Sequence, residues 1–111
     1  MSKPSPTSRS LEHLKAQGYE IVDVVERWNP HARIRQDLWG IVDILAITDT
    51  PGLPPVLGVQ TTSGSNVAAR VRKIQDSPNL PVLRRAGVAI HVHGWRKSAK
   101  HGWVLRTEDL S

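Results

Sequence analysis

Two polar side chains interrupt the most apolar stretches of this sequence. Asp43 lies within residues 40–47, and Gln60 lies near the end of residues 56–62. Each stretch predicts a buried strand, and burying a carboxylate without a partner costs several kcal/mol or drives it neutral. Because the two strands are close in sequence, we expect them to be neighbours in one sheet, with the two side chains meeting. This pair is the clearest indication of a functional site.

A hydroxyl-rich segment follows the second stretch. Residues 61–66 read Thr-Thr-Ser-Gly-Ser-Asn before a predicted helix. The free N–H groups and the positive dipole end of a helix N-terminus bind phosphate, so Ser63 and Ser65 are candidate phosphate contacts. The alternative is ordinary helix capping by Ser65 or Asn66, and the two roles are compatible.

Positive charge is concentrated in the second half of the chain. Residues 51–106 carry nine Lys and Arg against Asp76 alone, whereas residues 1–50 carry six against seven Asp and Glu. This bias favours a polyanionic partner, most commonly nucleic acid, and a solubility surface is the alternative. The candidate DNA contacts are Arg70 and Lys73 on the predicted helix, Arg33 and Arg35 on one face of a predicted strand, and Trp95, Arg96 and Lys97.

Two of these candidates have structural alternatives. Arginines that alternate on an edge strand also protect it against aggregation. Trp95 is equally compatible with a place in the core. The basic residues therefore indicate a DNA-binding surface without defining its limits.

The elements that position these residues follow from periodicity and turn signals. They predict an α/β chain of the order α-β-β-β-β-α-β-β, with a mixed sheet flanked by helices. We expect residues 1–9 to form a flexible tail and residues 10–111 a single domain. The predicted elements are a helix capped by Ser10 and ended by Gly18, strands at 19–28, 32–38, 41–47 and 56–61, a helix opened by 63–66, a turn or short helix at 80–86, and strands at 88–93 and 103–106.

The composition excludes several classes of protein. The chain has no cysteine, which excludes a disulfide framework and cysteine catalysis. No apolar run approaches the roughly 18–20 residues of a membrane span. The first ten residues are polar and lack the apolar segment of a secretory signal. A cytoplasmic protein without a membrane partner is expected.

This order of elements resembles that of the PD-(D/E)xK nuclease superfamily, and in particular its small members, the archaeal-type Holliday junction resolvases and the VRR-type nucleases. The resemblance covers roughly residues 10–95. In that superfamily a helix glutamate, a strand aspartate and an (E/Q)-x-K pair surround a divalent metal. Here Glu12, Asp43 and Gln60 stand at the matching places. The resemblance implies a restriction-endonuclease-like αβββ(β)αββ core.

The lysine of the motif is missing from its usual place. Thr62 stands where the family has a lysine that orients the attacking water or stabilises negative charge on the phosphate. Threonine supplies a hydroxyl group but no charge. The nearest cationic substitutes in sequence are Arg70 and Lys73, on the helix that follows.

The resemblance implies a metal-dependent endonuclease that acts on DNA, including branched or structured DNA. Asp43 would anchor Mg²⁺ or Mn²⁺, the Gln60 side-chain oxygen and the Thr61 carbonyl would add neutral ligands, and Glu12 would contribute directly or through water. The alternative for Asp43 is a structural aspartate that caps backbone groups. Two other functions stay open: a nuclease-fold protein that binds DNA without cleaving it, and a basic module that binds an acidic protein. Related junction nucleases act in pairs, so a homodimer is compatible.

Overall fold

A computed structural model describes residues 5–111 as an α+β fold with a mixed five-stranded sheet and three helices. The prediction of a mixed sheet flanked by helices is confirmed at this level. The elements are α1 (Pro6–Gln17), β1 (Ile21–Val24), β2 (Arg27–Asn29), β3 (Ile34–Gln36), β4 (Ile44–Ile47), β5 (Val56–Ser63), a 3₁₀ turn (Gly64–Asn66), α2 (Val67–Gln75), α3 (Asn79–Arg85), β6 (Ala89–Ser98) and β7 (Gly102–Asp109).

The main sheet has the strand order β1-β4-β5-β6-β7. The pairs β1–β4, β4–β5 and β6–β7 are antiparallel, and β5 and β6 are parallel. A parallel pair needs a crossover connection, which the 3₁₀ turn, α2 and α3 supply. In the β4–β5 register Ile44 lies opposite Val59, so Asp43 arrives beside Gln60.

Helices cover both faces of this sheet. Side chains alternate between the faces along each strand, and the buried residues form two apolar clusters accordingly. Gly94 allows α2 to approach β6 closely, because a Cβ atom there would collide with the Val67 side chain. The cluster with α1 contains Leu14, Tyr19, Ile44, Ala46, Leu57 and Val59, and the cluster with α2 and α3 contains Ile41, Val42, Val67, Ile74, Leu80, Leu83, Ile90, Val92 and Leu110.

The first helix begins earlier than the sequence predicts. Ser5 is the N-cap, since its Oγ accepts the Ser8 N–H at 3.2 Å, and Pro6 occupies the first turn. Both features favour a helix start. Ser10, predicted as the cap, is a buried helical residue. The predicted tail is therefore wrong for residues 6–9, while residues 1–4 lie outside the described part of the chain.

The predicted strand at 19–28 is two separate strands. β1 belongs to the main sheet, whereas β2 pairs with β3 in a small hairpin. The Asn29 Oδ1 accepts the backbone N–H groups of His31 and Ala32 and so fixes the hairpin turn. Arg33 lies in this turn with a φ of 55°, so the prediction that Arg33 and Arg35 alternate on one strand is wrong.

The strand predicted at 41–47 begins only at Ile44. The preceding residues form a turn in which the Ile41 and Val42 N–H groups both donate to the Leu38 carbonyl. β6 and β7 extend beyond their predicted limits because they pair over eight residues, from His91–Asp109 to Ser98–Gly102. None of the helices in the described part of the chain is both long enough and apolar enough to cross a membrane.

Candidate metal centre

Three carboxylates converge where the small hairpin meets the main sheet. Asp43 immediately precedes β4, Asp37 immediately follows β3, and Glu26 lies between β1 and β2. One oxygen from each group lies within 4.8 Å of the others. We call these three residues the acidic cluster. Carboxylates at this separation repel one another unless a proton or a cation lies between them.

Asp43 has one satisfied oxygen and one without a partner. Its Oδ2 accepts the Thr61 N–H at 2.8 Å, the Gln60 Nε2 at 2.9 Å and the Thr61 hydroxyl at 3.2 Å. Asp43 is only 3% exposed, and among residues 5–111 its buried Oδ1 has no hydrogen-bond partner. A buried carboxylate oxygen left open is costly, so this atom is suited to a proton or a cation.

The protonation states of Asp43 and Asp37 are pushed apart. Burial, helped by the hydrogen bond and negative charge of Asp37, raises the pKa of Asp43 to about 8. Burial also acts upward on Asp37, but hydrogen bonds with Asp43, Lys73 and Gln60 and the charge of Lys73 outweigh it, so the pKa of Asp37 lies below its usual value. The pair therefore holds one proton near neutrality, and that proton resides on Asp43.

Lys73 brings a positive charge to the acidic cluster. Its Nζ lies 2.8 Å from Asp37 Oδ2 and 3.4 Å from Gln60 Oε1. Lys73 lies in the last turn of α2, and its side chain is 45% exposed. The sequence prediction named Lys73 as a substitute for the missing motif lysine, and the structure places it at the acidic cluster.

The predicted contact between Asp43 and Gln60 is present, with the opposite hydrogen-bond polarity. The Gln60 Nε2 donates to Asp43 and Asp37, and its Oε1 accepts from Lys73. The neighbouring carboxylates accept hydrogen bonds, so they select the amide nitrogen. As placed, Gln60 does not present its oxygen to the acidic cluster; a half-turn of the amide would exchange the two atoms.

Thr61 also serves as a donor. Its N–H and hydroxyl both bind Asp43 Oδ2, and its hydroxyl lies 2.9 Å from that of Thr7 on α1. The sequence prediction gave the Thr61 carbonyl a ligand role, whereas the groups that meet Asp43 are its donors. Thr61 thus orients the Asp43 carboxylate through Oδ2, and it donates no hydrogen bond to Oδ1.

Thr62 and Glu12 lie apart from the acidic cluster. Thr62 is buried opposite Gly94 of β6, and within residues 5–111 its side chain makes no hydrogen bond to the three carboxylates. Glu12 is exposed on α1, because Ser10 and Leu14 occupy the face turned to the sheet. Glu12 is thus not one of the three carboxylates of the acidic cluster, which Asp37 and Glu26 complete, and its role at the site stays a prediction.

An open groove of about 460 Å³ adjoins the acidic cluster. Its lining is mostly polar and includes three cationic side chains, all of them predicted DNA contacts. Two of these lie on α2 and one lies on β3. The lining residues are Arg35, Gln36, Asp37, Gly40, Arg70 and Lys73. Arg35 also donates to Glu26 at 3.1 Å. Positive side chains beside the acidic cluster suit a phosphate group.

The remaining predicted DNA contacts lie outside this groove. Ser63 and Ser65 bond each other at 3.2 Å, and Ser63 also accepts from Asn66. Arg96 and Lys97 are exposed on β6. Trp95 is partly buried, and its Nε1 donates to Ser10 Oγ at 2.9 Å, so its indole is part of the packing of α1 on the sheet.

A buried histidine lies at the same contact between α1 and the sheet. Ser10 Oγ lies 2.8 Å from His93 Nδ1, and the His13 ring packs edge-on against His93. Burial first, then the charges of His13 and His91, lowers the pKa of His93 to about 3. His93 is thus buried under α1.

The two missed carboxylates were visible in the sequence only indirectly. Asp37 and Asp43 flank the Trp39-Gly40 pair, and a turn there brings the two ends of the segment together. The predicted strands at 32–38 and 41–47 leave only Trp39 and Gly40 between them, and they assign both aspartates to strand positions. Glu26 follows the β-branched run at residues 21–25. Its carboxylate reaches the acidic cluster because the chain leaves the main sheet between β1 and β2.

The raised pKa of Asp43 predicts a stability that falls between about pH 6.5 and about pH 8. In the folded protein Asp43 keeps its proton to about pH 8, whereas an unfolded aspartate loses it near 3.8. The free energy of unfolding therefore decreases as the pH rises through this range, by at most about 1.4 kcal/mol per pH unit. His93 acts in the opposite direction, because its stabilisation is lost as the pH falls below the ordinary 6.5. Asp43 thus dominates above pH 6.5.

Urea unfolding without divalent metal at about pH 6.5 and about pH 8.5 measures this effect. We expect the wild type to lose up to about 2 kcal/mol between them, and Asp43→Asn to lose much less, because it has no proton to release. Equal stability of the wild type at both pH values would show that Asp43 is ionised in the fold.

Comparison of this chain with protein-family models, with curated proteins and with solved structures found no match.

Proposed function

We propose that this protein is a metal-dependent endonuclease that hydrolyses DNA phosphodiester bonds, with the metal held by the acidic cluster. One observation carries the proposal: Asp43 Oδ1 is buried, has no partner within the described chain, and lies beside two further carboxylates. The hydrogen bonds of Asp43 all converge on Oδ2. Near neutral pH a proton on Asp43 offsets the like charges, and a divalent cation held by all three carboxylates would replace that proton.

The donor set fits a hard divalent cation. Asp43, Asp37 and Glu26 offer only oxygen atoms, and Mg²⁺ and Mn²⁺ prefer oxygen ligands. A cation bound there supplies Lewis acidity for water activation and neutralises charge on the phosphate. The proton that Asp43 holds near neutrality must leave when a cation binds, so affinity for the cation should rise with pH.

The protein's own groups have separate roles around the scissile phosphate. Thr61 holds Asp43 in one orientation through two donors. Lys73 places a positive charge at the edge of the acidic cluster, as the motif lysine does in the family that the sequence resembles. Arg35 and Arg70 line the same groove and neutralise the DNA backbone on either side of the reacting phosphate.

The topology also supports the nuclease assignment. The chain begins with α1 and then forms the antiparallel strands β1, β4 and β5 of the main sheet. It crosses over by α2 to β6, which is parallel to β5. This order is similar to the αβββαβ order that the resemblance to the nuclease superfamily implies, with the β2–β3 hairpin inserted between the first two strands. The hairpin delivers Asp37 to the acidic cluster.

The test is incubation of the purified protein with supercoiled, linear and four-way-junction DNA in Mg²⁺ or Mn²⁺. We expect cleavage that stops when the metal is chelated, together with Mn²⁺ binding detected by electron paramagnetic resonance. DNA binding with no cleavage in either metal would favour a nuclease-fold protein that only binds DNA. If DNA fails to displace a bound acidic protein, the basic surface serves a protein partner.

A further inference from the structure

The turn that links the hairpin to the main sheet carries an exposed tryptophan in an unfavourable backbone conformation. Trp39 has a φ of 57° and Gly40 a φ of 71°. The Ile41 N–H donates to the Leu38 carbonyl at 3.1 Å, which closes a turn with two successive left-handed residues. Such turns favour Asn-Gly or Gly-Gly, and a bulky side chain at the first of these positions is a conformational outlier.

The indole does not compensate for this conformation by packing in the core. Trp39 is 45% exposed, and it belongs to neither apolar cluster of the described chain. The turn itself is fixed, because Asn79 Nδ2 donates to the Trp39 carbonyl at 3.0 Å. A large aromatic ring is thus held at the surface on a rigid support.

The position of the turn relates the ring to the basic groove. Asp37 and Gly40, on either side of Trp39 in sequence, both line the groove with Arg35, Arg70 and Lys73. The Trp39 backbone therefore lies at the groove rim. The acidic cluster is equally near, since Asp37 belongs to both. A nucleotide whose phosphate binds in the groove would therefore lie next to the turn that carries the Trp39 ring.

We propose that Trp39 is a stacking platform for an unpaired base, and that the groove takes DNA with a single-stranded nucleotide at the reacting position. In an intact duplex the faces of the bases are covered by their neighbours, so an indole beside the phosphate track gains nothing. A single strand, a flap or a junction exposes a base face that stacks on the ring. The inference rests on the proposed function, because that function is what places DNA in the groove.

The test compares binding of a fluorescently labelled single strand with binding of a blunt duplex of equal length, by anisotropy in the presence of a metal chelator. We expect the wild type to prefer the single strand by about 5- to 100-fold, the effect of one base–aromatic stack. Trp39→Asn should abolish this preference, leave duplex binding unchanged and raise Tm, since it creates the favoured Asn-Gly pair. Trp39→Tyr should retain most of the preference.

Trp103→Thr is the matched control. Trp103 is exposed to nearly the same degree, at 44%, but it lies on the edge strand β7 with the Arg9 guanidinium 3.8 Å above its ring. This variant should keep the full preference. If Trp103→Thr and Trp39→Asn weaken single-strand binding equally, the effect is not specific to the groove rim and the inference is wrong.

Other outcomes also overturn the stacking role. A lower Tm for Trp39→Asn would assign the ring to packing, and dissociation of a dimer with unchanged DNA preference would assign it to self-association. Equal wild-type binding of single strand and duplex, or no DNA binding at all, would likewise refute it. Cleavage of duplex DNA without any single-strand preference leaves the nuclease proposal intact and removes only this inference. A Trp39-dependent preference for the single strand without metal-dependent cleavage would support the stacking role and refute the nuclease proposal.

Discussion

Asp43→Asn should reduce metal-dependent DNA cleavage by about 10³-fold or more. The substitution preserves the shape of the side chain and an oxygen that accepts the Thr61 N–H, but it removes the negative charge that Asp43 acquires when a cation displaces its proton. Because the amide oxygen accepts the Thr61 N–H, the amide NH₂ group takes the place of the open Oδ1 and cannot bind a cation. We therefore expect Mn²⁺ binding to weaken in parallel with cleavage, and binding of DNA by the basic groove to persist.

The control for this loss is Glu12→Gln. Both variants remove one carboxylate from the chain, but Glu12 is exposed on α1, apart from the acidic cluster. Cleavage by Glu12→Gln should be close to that of the wild type. Urea unfolding tests separately whether activity is lost through unfolding. Asp43→Asn should be no less stable than the wild type at about pH 8.5. Cleavage by Asp43→Asn at the wild-type rate would refute the proposed metal centre.

The meeting of Asp43 with Gln60 was predictable from the sequence because it depends on short-range features. Two apolar strands joined by the Pro-Gly-rich turn at residues 50–55 form an antiparallel pair. The side-chain period of two in each strand then leaves few registers that bury the apolar residues. Lys73 was also within reach of a sequence argument, since the helix that contains it directly follows β5.

The rest of the acidic cluster depends on contacts that periodicity does not encode. Asp37 and Glu26 reach it because the small hairpin is separate from the main sheet. The turn of that hairpin is stabilised by the Asn29 side chain, which accepts two backbone N–H groups. The start of α1 at Pro6 depends on a cap formed by Ser5 and Ser8, which resembles any serine-rich tail in sequence. The amide orientation of Gln60 follows from its carboxylate neighbours Asp43 and Asp37, and the sequence analysis did not bring Asp37 to this place.

Lys73→Met should separate catalysis from metal binding. Methionine keeps an unbranched, flexible side chain on α2 but removes the ammonium group that lies 2.8 Å from Asp37 and 3.4 Å from the Gln60 oxygen. If Lys73 supplies the charge that Thr62 cannot, the rate of cleavage at saturating DNA should fall by about 10²–10³-fold, as for the loss of one charge-stabilising donor. Mn²⁺ binding should be retained or tightened, because a positive charge has been removed from beside the acidic cluster.

Arg72→Met is the matched control for Lys73→Met. It removes an equal charge from the adjacent position of α2, where the side chain is exposed and is not part of the groove lining. Cleavage should fall only slightly, through the general attraction of DNA. Similar rates for the two variants would reduce Lys73 to one backbone contact among several, and Arg70 would then be the remaining cation on α2 that lines the groove. A large difference at unchanged metal affinity would locate the counterpart of the motif lysine on the helix instead of the strand.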